Sequence, residues 1–164
     1  MSQIYAQPLF NLDGRLIDSY EDFQEYCQDL QITPEFQFSF VAGTKEDLQL
    51  FNVCQRGSNC LRLWMEVIEP LDSHEKAALF YLVDACHYNA ELALEKMHDT
   101  CVQEGTLLEV ATALFDEIYL HKLPEAIQSS VDYEKLAYNM RVGGGMYEFT
   151  FGGKSYTCTN PHDH

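Results

Sequence analysis

The chain has 164 residues, 46% of them hydrophobic, and its 26 acidic against 10 basic side chains give a formal net charge of -16. That apolar content can fill a core without disulfides or metals, so a globular protein is expected, and the absence of any run of about 18 apolar residues excludes a membrane-spanning helix. So large a negative charge repels itself and needs a reason other than stability, of which solubility is the simplest.

The start Met1-Ser2-Gln3-Ile4-Tyr5 lacks the basic residues and apolar stretch of a signal peptide, which predicts a cytoplasmic protein. Ile4 to Leu12, the turn signal Asp13-Gly14 and Arg15-Leu16-Ile17 read as a hairpin. Behind Ser19 as N-cap, Tyr20, Phe23, Tyr26, Cys27 and Leu30 recur at helical spacing. Phe36, Phe38 and Phe40 alternate with Gln37, Ser39 and Val41, the pattern of a strand with one aromatic face. Thr44 with Asp47 opens a second helix, which Arg56-Gly57-Ser58-Asn59 breaks.

From Asn59 to about Glu104 the pattern predicts helix throughout. Leu61, Trp64, Met65 and Ile68 form one apolar face, Ala77, Phe80, Tyr81 and Asp84 a second after a start at Ser73, and Leu92, Leu94 and Met97 a third. Thr106 and Glu109 have the spacing of a capping box ahead of Leu107, Val110, Leu114 and Ile118. Pro124 begins a short helix, and Ser130 or Asp132 caps another that ends at Gly143-Gly144-Gly145. Met146 to Phe151 and Ser155 to Cys158, joined through Gly152-Gly153, predict a closing hairpin. The expected architecture is α+β, an elongated chain of three small modules: an α+β module over 1–57, a helical one over 58–104 and an α+β one over 105–164.

Catalytic signatures are scarce. Gly152-Gly153-Lys154-Ser155 resembles the end of a phosphate loop, but Glu148 stands where the first glycine belongs and strand-forming residues follow, so a hairpin turn is the better reading. His162, His164 and Cys158 lack a fourth ligand and preorganisation for a metal. Cys86 and His87 are adjacent, but neighbours on a helix point about 100° apart, so adjacency alone does not make them a nucleophile and base; an enzyme with a site there or in the tail is the third reading. Cys27, Cys54, Cys60, Cys86, Cys101 and Cys158 contain no CxxC pair and read as structural thiols of a reducing compartment. No cofactor and no metal are expected, and a binding protein is favoured over an enzyme.

The acidic residues carry more information than their number. No lysine or arginine falls between Arg15 and Lys45, where Asp18, Asp22, Glu25 and Asp29 follow helical spacing opposite the aromatic stripe, nor between Lys96 and Lys122, which enclose Glu109, Asp116 and Glu117. Like charges three or four apart on a helix lie about 5–6 Å from one another and cost a few tenths of a kcal/mol each. Such spacing imitates a phosphate backbone, and a charge of -16 corresponds to roughly 27 Å of duplex at one charge per 1.7 Å.

The segment Leu123-Pro124-Glu125-Ala126-Ile127-Gln128-Ser129-Ser130-Val131-Asp132-Tyr133-Glu134-Lys135-Leu136-Ala137-Tyr138-Asn139-Met140 resembles the antirestriction protein ArdA family. Gly105 to Tyr119 lies where that family has its antirestriction motif, and Leu108, Ala111, Phe115, Asp116, Glu117 and Ile118 keep its rhythm. Cys60-Leu61-Arg62-Leu63-Trp64 is similar to the start of its central helical domain, and Gly14 to Tyr20 to its first motif, with Asp18 and Tyr20 in place of a glycine and a tryptophan. The resemblance implies an elongated, three-module, usually dimeric mimic of bent DNA that fills the DNA site of type I restriction-modification enzymes in a bacterial host cell, without a cofactor. It adds Asp132 and Glu134 to Glu109, Asp116 and Glu117 as expected partner-binding residues. Another defence nuclease, such as a CRISPR effector, is the alternative target; neither direct nucleic-acid binding nor membrane association is expected.

Overall fold

The computed structural model describes residues 2–9, 13–31, 35–55 and 60–161. Among them are eight α-helices and two three-stranded antiparallel sheets, so the class is α+β. No helix among the described residues is long and apolar enough to cross a membrane. The chain divides into two compact units, Met1–Lys76 and Ala77–His164.

In the first unit β1 (Gln3–Pro8) lies between β2 (Arg15–Ile17) and β3 (Phe36–Ala42). Ile4 faces Ile17 on one side and Phe40 on the other, and β1 alternates as its period of two requires, with Ile4 and Ala6 buried and Gln3, Tyr5 and Gln7 half-exposed. The expected aromatic face of β3 is present: Phe36, Phe38 and Phe40 are half-buried, and Gln37, Ser39 and Val41 are exposed. Ser19 caps α1 (Tyr20–Leu30), which sets Phe23, Tyr26 and Leu30 over Ala6 and Ile17, with Phe23 edge-on to Phe36 and Phe38. Thr44 caps α2 (Lys45–Cys54). The expected break at Arg56 to Asn59 lies outside the described residues.

The short α3 (Cys60–Leu63) runs into a wider helical turn over Trp64–Ile68, closed by Glu69 N–H on the Trp64 carbonyl. Trp64 is buried and edge-on to both Phe40 and Phe51. The start of α4 (Ser73–Asp84) corrects the sequence reading, because the cap is Asp72. Its Oδ1 accepts from His74 and Glu75 N–H, while the Glu75 carboxylate accepts from Asp72 N–H, a reciprocal capping box. Ser73 instead donates its hydroxyl to Glu46.

In the second unit the α4 residues Ala77 to Val83 are all buried, as a run that is apolar on every side demands. Phe80 stacks on Phe149 and Phe151, and Tyr81 packs on Tyr147 and Phe149, all three partners lying on β5 (Tyr147–Phe151). The sheet order is β4-β6-β5, with β4 (Val102–Glu104) and β6 (Lys154–Cys158). Here the expectation of helix to Glu104 fails: Val102 to Glu104 is a strand, because Tyr156 to Cys158 supplies backbone partners that the local pattern does not reveal. The predicted hairpin forms through Gly152 and Gly153 at φ +62° and +88°, the left-handed pair that a two-residue turn favours.

Asn89 caps α5 (Ala90–Lys96), whose buried residue is Ala93 while Leu92 faces outward, a correction to the Leu92 face. Thr106 caps α6 (Leu107–Ile118). Its Leu107 and Ala111 meet Ala137 of α8 (Tyr133–Val142) and Met146, with Leu114 and Met140 alongside. Ile118, expected on that inner face, is exposed because the core ends a turn earlier. Between them lies the short α7 (Glu125–Gln128) behind Pro124. Met140 and Gly143 lead into the turn that returns the chain to β5.

Candidate functional site

In the first unit α1 carries the acidic side chains at helical spacing, and a cation outside the helix partly compensates them. Arg15 on β2 meets the Asp22 carboxylate at 2.7 Å and that of Asp29 at 3.6 Å, and lies 5.8 Å from the Tyr26 ring centroid. The face expected to be without cations is therefore half-neutralised, because pairing of β2 with β1 brings Arg15 beside residues two turns apart on α1. Asp18 and Glu25 are exposed and have no side-chain hydrogen bond or ion pair among the described residues.

In the second unit most of the predicted carboxylates have structural work. Glu109 completes the expected capping box: its carboxylate accepts from Thr106 N–H at 2.8 Å and from the Thr106 hydroxyl at 2.9 Å. These bonds, the backbone one first, hold the Glu109 carboxyl below its ordinary range. Asp116, half-buried, accepts the Tyr133 hydroxyl and so ties α6 to the start of α8; this bond pushes the Tyr133 phenol above its ordinary range. Asp132 caps α8 by accepting from Lys135 N–H at 2.9 Å. Glu117 and Glu134 are exposed, with no such partner among the described residues. Replacing Thr106 by alanine is expected to lower stability by about 1 kcal/mol in urea unfolding and, in an NMR titration, to return the Glu109 carboxyl toward its ordinary value.

Glu148, noticed in the sequence only for failing a glycine position, accepts from Leu107 N–H at 2.9 Å and so satisfies a free donor at the start of α6. The signal for it was the strand alternation, which turns Glu148 away from the side of Tyr147 and Phe149. Lys154, in the hairpin taken over a phosphate loop, pairs with Glu104 at 3.0 Å.

Of the described thiols Cys54 and Cys158 are buried and Cys101 is exposed. Cys86 and His87 lie in the turn beyond α4 rather than on a helix, and His87 adopts φ +59° and is exposed. The Tyr81 hydroxyl is hydrogen-bonded to the thiols of Cys86 and Cys158; burial first, and then these bonds, raise its phenol above the ordinary range. Burial likewise pushes the Cys158 and Cys27 thiols up, which keeps them protonated and weakly nucleophilic. No cluster of three or more metal-ligating side chains occurs among the described residues, and His162 and His164 lie outside them.

The nine acidic residues thus separate by role. Asp22, Glu109, Asp116 and Asp132 make hydrogen bonds within the fold and Asp29 a surface ion pair with Arg15, whereas Asp18, Glu25, Glu117 and Glu134 offer exposed charge with no side-chain partner among the described residues. Charges of that kind remain solvated until a cationic partner arrives, and they attract it over a Debye length. Comparison with protein-family models, curated proteins and solved structures gives no match to this chain.

Proposed function

We propose that the chain is a DNA mimic of the antirestriction type, which binds the DNA site of a type I restriction-modification complex and blocks it. The observation that carries the reading is the set of exposed carboxylates on helix faces, Glu25, Glu117 and Glu134, without a side-chain partner among the described residues, in a chain of net charge -16. A groove built for phosphates meets such side chains as it meets a backbone, through lysine and arginine. On this proposal the protein acts as a homodimer of elongated, three-module chains in the cytoplasm of a bacterial host, needs no cofactor and performs no catalysis.

Binding of the purified protein to a type I methyltransferase core, with duplex DNA as competitor and salt varied, tests this. Competition with DNA and affinity that falls as salt rises are expected. The combined substitutions Glu25→Gln, Glu117→Gln and Glu134→Gln should weaken binding by about tenfold, at a few tenths to 1 kcal/mol per exposed pair, and flatten the salt dependence. Binding that ignores both DNA and salt would sink the proposal. The departures Asp18 and Tyr20 favour a second reading, inhibition of another DNA-targeting complex such as a CRISPR effector. It predicts protection against that system and none against restriction.

A further inference from the structure

One face of α8 repeats an arrangement that holds an arginine elsewhere in the chain. In the first unit the Arg15 guanidinium lies 2.7 Å from the Asp22 carboxylate and 5.8 Å from the centre of the Tyr26 ring, and Asp22 and Tyr26 follow each other at i and i+4 on α1. Arg62 keeps the same company: its Nε lies 2.8 Å from Glu66 Oε2, and its guanidinium carbon 5.7 Å from the centre of the Tyr20 ring. The two arginine side chains are 41% and 66% exposed, so a carboxylate and a tyrosine ring hold a guanidinium at the surface of this protein without burying it.

On α8, Glu134 and Tyr138 stand at that same i and i+4 spacing, the acid again before the tyrosine. Helical side chains lean toward the N-terminus, which brings the Tyr138 ring over the turn that carries Glu134, with about 5–6 Å between the two Cβ atoms. Neither side chain has an ion pair, hydrogen bond or ring contact among the described residues, and Tyr138 is 64% exposed. Lys135 and Arg141, the exposed bases of the same helix, make no ion pair with Glu134. Val142, one turn further along the same ridge and 67% exposed, adds an apolar neighbour.

The pair selects its occupant by chemistry. A carboxylate alone accepts any cation, but a ring beside it favours the planar, weakly hydrated guanidinium, which can bond to the one while it rests on the other. The net charge of -16 attracts such a group and repels an anionic one.

We propose that Glu134 and Tyr138 form a receptor for one arginine of a partner protein, its guanidinium bonded to the Glu134 carboxylate and resting on the Tyr138 ring, its aliphatic stem toward Val142. The proposal rests on the reading of Glu134 as a partner-binding carboxylate and adds Tyr138, which acidity does not select. Arginines that line a groove for phosphates are groups of this kind.

The test uses the full chain, labelled with nitrogen-15 and with carbon-13 in its tyrosine rings, and blocked Gly-Arg-Gly, Gly-Lys-Gly and Gly-citrulline-Gly peptides. The Tyr138 ring signal should shift with the arginine peptide, respond about two- to fivefold more weakly to the lysine one and ignore the neutral citrulline one. Followed at the Glu134 amide, Tyr138→Ala should weaken arginine binding by about the same factor, and Tyr138→Phe should keep it. Tyr138 is mostly exposed, so neither substitution threatens the fold. Equal binding of the arginine and lysine peptides, or full binding by Tyr138→Ala, would overturn the proposal. So would tighter binding by Arg141→Gln, which would make Arg141 of this chain the occupant. Against a type I methyltransferase core, Tyr138→Ala should weaken binding and Tyr138→Phe should not. If the three glutamate substitutions weaken that complex and Tyr138→Ala does not, the receptor fails and the DNA-mimic reading stands. If the arginine peptide binds as expected and the core does not bind, the receptor stands and the target is wrong.

Discussion

Replacing Lys76 by alanine is expected to lower the unfolding free energy by about 3–5 kcal/mol, a large part of the stability of an ordinary domain. Lys76 Nζ lies 2.7 Å from Asp47 Oδ1, and the two side chains are only 11% and 8% exposed. Removing the lysine strands a carboxylate away from water, with Thr44 still donating to it. Pairing Asp47→Asn with Lys76→Met removes both charges and should recover most of the loss, measured by urea unfolding.

The pH dependence gives an independent readout. Burial alone would push the Asp47 carboxyl up, but hydrogen bonds from Lys76 and Thr44, together with the Lys76 charge, outweigh it and hold the carboxyl below its ordinary range. The group's contribution is therefore present above the unfolded value of about 3.9 and is lost as pH falls through the lower folded value. In Lys76→Ala the hydrogen bond and charge of the lysine are gone, so the carboxyl returns toward its ordinary range and the loss of stability on the acid side should shrink.

Trp64→Ala is the second large effect, about 3–5 kcal/mol, since it empties the space between Phe40 and Phe51. Trp64→Phe should cost far less, under about 1.5 kcal/mol. The indole Nε1 is buried without a hydrogen-bond partner among the described residues, so losing it removes an unsatisfied donor along with the ring volume. Far-ultraviolet dichroism in urea separates the two variants. A phenylalanine variant as unstable as the alanine one would mean that the indole nitrogen contributes to stability.

Local chemistry was legible in the residues. Phe36, Phe38 and Phe40, the Thr106–Glu109 box and the Gly152-Gly153 turn each need only their immediate neighbours, and each formed as expected. Val102 to Glu104 eluded prediction because its strand depends on a distant partner, Tyr156 to Cys158, whereas the Asp72 cap of α4 is a local capping box with Glu75 that the sequence already held. The candidate site followed the same rule: spacing located its carboxylates, but that Arg15 spans Asp22 and Asp29 depends on the pairing of β2 with β1.

The aromatic packing divides the chromophores between the two units. The single tryptophan is held edge-on to phenylalanines in the first unit, whereas Phe80, Phe149, Phe151 and Tyr156 form a stack in the second. Immobilised rings in asymmetric surroundings give near-ultraviolet dichroism, which vanishes when side-chain packing loosens even if the helices persist. One spectrum thus contains an indole band that reports on the first unit, whose loosening can be followed without labels.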